Sequence, residues 1–324
     1  WTGHRRTGGG LGTAALRPRP EAKGGIRASP ASPTPRPGLN DHSNSADAFD
    51  NITLLAFGQL WPVRTWGSLL QRALYQSEKL HRFEATAPEQ LKIVRNRAEL
   101  EAVLDARARG ERITAGILGI EGGHALEGDI GNLDRLEAAG YRLIGLQHFF
   151  DNALGGSLHG ETGQGLTDFG RQVVEEAVQR GMIIDLAHSS PQVARDVLAM
   201  TDIPIVLSHS GIHSYCPVRR NVPDALMRDI AATGGVIGIS YGADVTCGRI
   251  DPEGIAQMIV AGIAAVGEDH LSLGSNFNGA VETGFDSSEL AALTHALLAA
   301  GLSEAQIRKV MGENMLRVLQ ARLK

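Results

Sequence analysis

The chain has 324 residues, 43% of them hydrophobic, and a formal net charge of -5 at pH 7. That is enough apolar material for a large single core, and barrels of parallel strands often exceed about 250 residues as one domain. Residues 1–40 carry a local +6, so the remainder carries -11. An acidic globular body argues against a nucleic-acid partner. No apolar stretch reaches the roughly 18 residues that a membrane span needs.

The amino-terminal segment differs in composition from the rest. Gly, Pro and Arg dominate residues 1–45, which show almost no aliphatic periodicity. Such a segment cannot bury enough apolar surface to offset its ordering entropy, so we expect it to be disordered, with a folded domain over residues 46–324. A basic tail for an anionic partner is the alternative. The first thirty residues contain no signal-peptide-like apolar stretch, which favours a cytoplasmic location.

Short apolar runs alternate with helical stretches, which is the pattern of parallel strands buried on both faces. Seven runs are strand candidates: 52–57, 115–120, 142–147, 182–187, 203–208, 235–240 and 270–275. This alternation predicts an α/β fold, a TIM-type (β/α)8 barrel. Seven candidates leave the barrel one strand short, and we interpret its first strand as missing or degenerate.

Helices are expected at 65–83, 98–109, 289–300 and 303–322, the last opening at a capping box of Ser303 and Gln306. Ser190 followed by Pro191 predicts a helix start just after His188, and Pro223 with Asp224 predicts another just after Arg220.

Three residues able to bind a metal follow predicted strands. Glu121, His188 and His209 lie far apart in the sequence. The carboxyl ends of barrel strands meet at one rim, so we expect the three side chains to converge there. Imidazole nitrogen and carboxylate oxygen are ligands that catalytic zinc sites use, with one position left for water.

The segments around these residues resemble the membrane (renal) dipeptidase family of zinc peptidases, in the amidohydrolase-type barrel group. The similar segments are collinear and specific in combination: residues 120–125, 165–170, 184–188, 205–210, 219–224, 274–279 and 311–315. The resemblance implies a site with two zinc ions, in which a glutamate bridges the metals and two histidines complete one of them. It assigns Glu121 as the bridge and His188 with His209 as the completing ligands.

The resemblance also implies roles for two further residues. His148 polarises the scissile carbonyl, and Arg220 holds the free carboxylate of the substrate, a task that suits a planar cation. The implied reaction is hydrolysis of dipeptides by metal-bound hydroxide. His124, His159 and His213, also near the rim, are interpreted as structural residues.

Two departures from the family pattern bear on activity. The first-strand His-x-Asp pair, which provides ligands for the second zinc ion in the family, has no counterpart in this chain. Only one of the two metal sites therefore looks complete. Asn276 and Asn278 stand where the family has aspartates. The group expected to handle the proton of the attacking water is therefore the amide of Asn276, which cannot take up a proton at neutral pH.

The resemblance suggests that Cys216 and Cys247 form a disulfide; two free buried thiols are the alternative. We expect a small peptide substrate, and the chain is compatible with a homodimer. Two rival functions stay open: a barrel that acts on another small amide or lactone, and a degenerate barrel that binds metal without catalysis.

Overall fold

The computed structural model describes residues 51–277, 279 and 281–324. The segment predicted to be disordered, residues 1–45, lies outside the described residues, as does Asn278.

A six-stranded parallel sheet forms the centre of the fold. Its strands pair in chain order, each with the next, and helices pack between and around them. The apolar residues of these strands are almost all buried, as the continuous apolar runs predict. The strands are β3 (Leu118–Ile120), β4 (Tyr141–Gly145), β5 (Ile183–Asp185), β6 (Val206–Ser210), β7 (Val236–Ile239) and β8 (Leu271–Leu273).

A separate pair of parallel strands precedes this sheet. β1 (Leu91–Ile93) pairs with β2 (Thr114–Gly116). Only Ile117 separates β2 from β3, so the predicted run 115–120 is one extended segment that pairs with β1 first and β4 afterwards. The fold is the predicted TIM-type barrel, with seven strand positions among the described residues and no strand before β1 in that part of the chain.

The prediction of a strand at 52–57 is wrong. These residues belong to helix α1, Asn51–Gly58. A short apolar run has the same composition in a buried helix as in a buried strand, and periodicity cannot separate the two. The seventh strand position is instead β1, a three-residue strand that the sequence analysis did not detect.

The predicted helix starts are confirmed at Ser190, whose side chain accepts a hydrogen bond from Val193, and at Asp224. The capping box of Ser303 and Gln306 is present. The predicted helix 303–322 is divided by a π-helical turn around Gly312. The helices are α2 (Leu69–Thr86), α3 (Arg97–Ala108), α4 (Asn132–Ala138), α5 (Asp168–Arg180), α6 (Pro191–Met200), α7 (Asp224–Ala232), α8 (Pro252–Val266), α9 (Leu290–Ala299), α10 (Glu304–Arg308) and α11 (Asn314–Arg322).

Candidate metal centre and active site

Glu121 lies directly after β3, at the rim formed by the carboxyl ends of the strands. The next residue, Gly122, has φ of 91°, a conformation that glycine adopts at little cost. The chain therefore turns sharply after Glu121, whose side chain is buried. Its Oε1 atom is the point at which the candidate ligands meet.

His188 and His209 reach this point from neighbouring strands. The Nε2 atoms of His188 and His209 lie 3.1 and 3.4 Å from Glu121 Oε1, and 2.9 Å from each other. His188 has φ of 65°, the left-handed region that a non-glycine residue enters at a cost. The structure thus brings together the three predicted ligands, although 88 residues separate the first from the last.

His148 follows β4 and faces the same carboxylate. Its Nε2 atom lies 3.6 Å from Glu121 Oε1, and its ring is 4.7 Å from that of His188 between centroids. Ligand atoms of Glu121, His148 and His188 all lie within 4.8 Å of one another, the one group of possible metal ligands in the described part of the chain. His209 is not in this group, although it lies within 3.4 Å of Glu121 and 2.9 Å of His188.

The two histidine rings are held in their neutral form. Burial and then the charge of Arg220 lower the pKa of His188 and of His209 well below the usual value. A neutral imidazole offers the nitrogen lone pair that a metal needs.

The opposite ring nitrogens also have partners. Nδ1 of His209 lies 2.9 Å from Ser208 Oγ, and Nδ1 of His188 lies 3.1 Å from Nε2 of His159. Both Nε2 atoms can therefore present lone pairs beside a carboxylate oxygen, an arrangement that a cation would stabilise. The donor set fits zinc.

Arg220 is buried beside this group. Its Nη2 atom donates to the carbonyl oxygen of His209 at 3.1 Å and lies 3.3 Å from His188 Nε2. Its buried Nη1 atom has no hydrogen-bond partner among the described residues. Burial lowers the pKa of the guanidinium, although Asp244, Glu121 and Asp185 act in the opposite direction. A buried cation with an unused donor is suited to an anionic ligand.

Asn276 comes three residues after β8, at the same rim. It is nearly buried and has φ of 52°. A β-carbon on Gly279 would lie 2.1 Å from its Oδ1 atom, so any larger residue there would displace the Asn276 amide. The structure provides no carboxylate at position 276.

The remaining rim histidines differ in their contacts. His213 Nδ1 lies 3.2 Å from the carbonyl oxygen of Asn221, a structural contact. His124 has a buried Nε2 atom with no described partner, and burial lowers its pKa to about 4. His159 was expected to be structural, yet it touches His188. Burial and then Arg220 and Arg219 lower the pKa of His159 to about 3.

Cys216 and Cys247 form a disulfide with Cα atoms 5.7 Å apart. The pairing suggested by the resemblance is therefore present, and the alternative of two free thiols is wrong. The bond links the loops after β6 and β7, close to Arg220.

A parallel barrel with buried glutamate and histidine side chains at its carboxyl rim is an arrangement suited to a metal-dependent hydrolase. Residues 47–323 match the profile of the family described as membrane dipeptidase, peptidase family M19. The chain belongs to this family of metallodipeptidases.

Solved structures of relatives have the same fold. The chain is 29% identical to the metallopeptidase dipeptidase AC of family M19, with a TM-score of 0.70 over 79% of this chain and 76% of that one. It is also 29% identical to a metallopeptidase from Rhodobacter sphaeroides, crystallised with a phosphinate mimic of the dipeptide L-Ala-D-Ala. That match has a TM-score of 0.69 over 78% of this chain and 75% of that one. A Pseudomonas aeruginosa amidohydrolase is 25% identical, with a TM-score of 0.69 over 78% of this chain and 85% of that one.

No helix in the described part of the chain is both long enough and apolar enough to cross a membrane.

Proposed function

We propose that the chain is a zinc-dependent dipeptidase that hydrolyses dipeptides with a free carboxyl terminus. The observation that carries this proposal is the convergence of His188 and His209 on Glu121 Oε1, with Nε2 atoms 3.1 and 3.4 Å away. These three side chains would hold the zinc. When bound, zinc polarises a carbonyl group and lowers the pKa of a coordinated water, which makes that water a nucleophile at neutral pH.

The protein residues would select and orient the substrate. Arg220 would bind the terminal carboxylate through Nη1, which has no hydrogen-bond partner among the described residues, because a guanidinium forms strong charge-assisted hydrogen bonds with a carboxylate. His148, at 3.6 Å from Glu121 Oε1, is close enough to the ligands to donate a hydrogen bond to the scissile carbonyl oxygen. The dipeptide mimic bound to the Rhodobacter sphaeroides relative supports a substrate of this size.

Asn276 is expected to limit the rate of dipeptide hydrolysis. Its amide can donate or accept a hydrogen bond but cannot take up the proton of the attacking water. A positioned acid or base is typically worth about 10²- to 10⁴-fold in rate. We therefore propose slow turnover, and the degenerate, non-catalytic barrel is the second candidate that Asn276 favours.

The test is turnover of a dipeptide panel by the zinc-stripped chain before and after zinc is added. We expect hydrolysis that depends on zinc and falls sharply when the substrate is amidated at its carboxyl terminus. Glu121→Gln should abolish both turnover and zinc retention, whereas the exposed control Glu175→Gln should change neither. Zinc retention without turnover would favour the non-catalytic barrel. Preference for neutral amides or lactones would favour the rival function, a barrel that acts on another small amide or lactone.

We also propose that the chain forms a homodimer. Three large apolar side chains are exposed within residues 57–63: Phe57 is 60%, Leu60 86% and Val63 71% exposed. Grouped exposure of this kind marks association surfaces. Light scattering should give about twice the 34.4 kDa mass of one chain, and a mass of one chain would contradict the proposal.

A further inference from the structure

His159 is the partner of a proposed zinc ligand, although the proposed reaction gives it no role. Its Nε2 atom lies 3.1 Å from Nδ1 of His188, with the ring centroids 5.2 Å apart. The contact is made by the nitrogen of His188 that faces away from Glu121. This contact with His159 can therefore fix the orientation of the His188 ring.

The loop that carries His159, residues 151–162, is organised around one carboxylate. Asp151 accepts hydrogen bonds from the backbone amides of Ser157 at 2.7 Å, Glu161 at 3.2 Å and Thr162 at 3.0 Å, and from the Thr162 hydroxyl at 2.8 Å. A β-carbon on Gly160 would lie 1.8 Å from Asp151 Oδ1, so any larger residue there would displace this carboxylate. The loop therefore has a defined shape.

The same loop is attached to the backbone of the site. The amide of Leu158 donates to the carbonyl oxygen of His188 at 2.7 Å. The hydroxyl of Ser157 donates to the carbonyl oxygen of His148 at 2.5 Å and lies 3.3 Å from that of His188. Residues 157–159 thus contact both the backbone and the ring of His188.

We propose that His159 is a positioning residue, which accepts a hydrogen bond from Nδ1–H of His188 and so directs the Nε2 lone pair toward Glu121 and His209. The inference rests on the zinc site proposed above. Ser208 makes the equivalent contact with Nδ1 of His209 at 2.9 Å. Metal-binding histidines generally require such an outer partner, which fixes the tautomer and the ring orientation.

The experiment measures zinc affinity by competition with a chromophoric chelator, for wild type, His159→Ala and His159→Gln. His270→Ala is the matched control, because His270 is also partly buried and its Nδ1 lies 3.0 Å from the carbonyl oxygen of Gly235, outside the site. Loss of an outer partner typically weakens metal binding by about 10- to 100-fold, and we expect this for His159→Ala. His159→Gln, whose amide oxygen can accept the same bond, should recover most of the affinity.

Thermal unfolding of the zinc-free proteins separates positioning from packing. If His159 only fills space beside Phe149, both variants lose zinc-free stability to a similar extent, and glutamine restores no zinc affinity; that result overturns the inference. Equal zinc affinity in wild type and His159→Ala also overturns it while leaving the proposed function intact. If the wild type does not bind zinc, the proposal of a zinc site is itself wrong. The same titration shows this outcome separately from the effect of His159.

Discussion

We expect His124 to make the stability of the fold depend on pH. Its Nε2 atom is buried without a described partner, and its Nδ1 atom lies 3.4 Å from Nδ2 of Asn152. Burial lowers its pKa from 6.5 to about 4. In the folded protein the ring therefore stays neutral at a pH at which the unfolded chain takes up a proton.

The sign follows from proton linkage. Because the folded pKa is depressed, the unfolded state binds more protons between the two pKa values, so stability is complete above about pH 6.5 and falls as the pH drops toward 4. At about pH 5 the shift corresponds to a loss of about 2 kcal/mol in the free energy of unfolding.

The assay is urea unfolding of the zinc-free chain at about pH 7.5 and pH 5. His124→Asn retains an acceptor near Asn152 and cannot titrate, so between the two pH values it should lose about 2 kcal/mol less than wild type. The exposed His295→Asn variant should behave as wild type does. Equal losses in wild type and His124→Asn would show that the ring of His124 is not forced to stay neutral in the folded protein.

Three further outcomes are expected. Asn276→Asp should raise dipeptide turnover with little change in the Michaelis constant, because a proton acceptor acts in the transition state; unchanged turnover at full zinc occupancy would show that the amide is not the defect. Arg220→Ala should raise the Michaelis constant for free dipeptides far more than for amidated ones. It should not weaken zinc binding, because Arg220 Nη2 places a positive charge 3.3 Å from His188 Nε2, the nitrogen proposed to bind zinc. Weaker zinc binding in a chelator titration would contradict this expectation. Replacing both Cys216 and Cys247 by serine opens a link across 31 residues and should lower the free energy of unfolding by roughly 3 to 4 kcal/mol in urea titrations; a change below about 1 kcal/mol would argue against this estimate.

The central strands were predictable because each is buried on both faces and therefore reads as a continuous apolar run. The same rule fails at residues 52–57, where a short apolar helix has the same composition. β1 was missed because it has only three residues, and one of them is Lys92. A strand this short forms because it pairs with a neighbouring strand. The local sequence contains no pattern that indicates such pairing.

Within the site, Glu121, His188 and His209 were predictable because residues at strand ends share one rim. The contact between His159 and His188 was not, because it joins residues 29 positions apart through an irregular loop. The shape of that loop depends on Asp151 and its hydrogen-bond donors. Its Gly-rich sequence indicates a loop but not which side chain it presents.

We propose that Glu121, His188 and His209 hold zinc at the barrel rim. A crystal grown with zinc and measured on both sides of the zinc absorption edge tests it most directly. We expect an anomalous peak about 2.0 to 2.2 Å from a carboxylate oxygen of Glu121 and from Nε2 of both histidines. Full zinc occupancy elsewhere, or no peak at this site under saturating zinc, would contradict it.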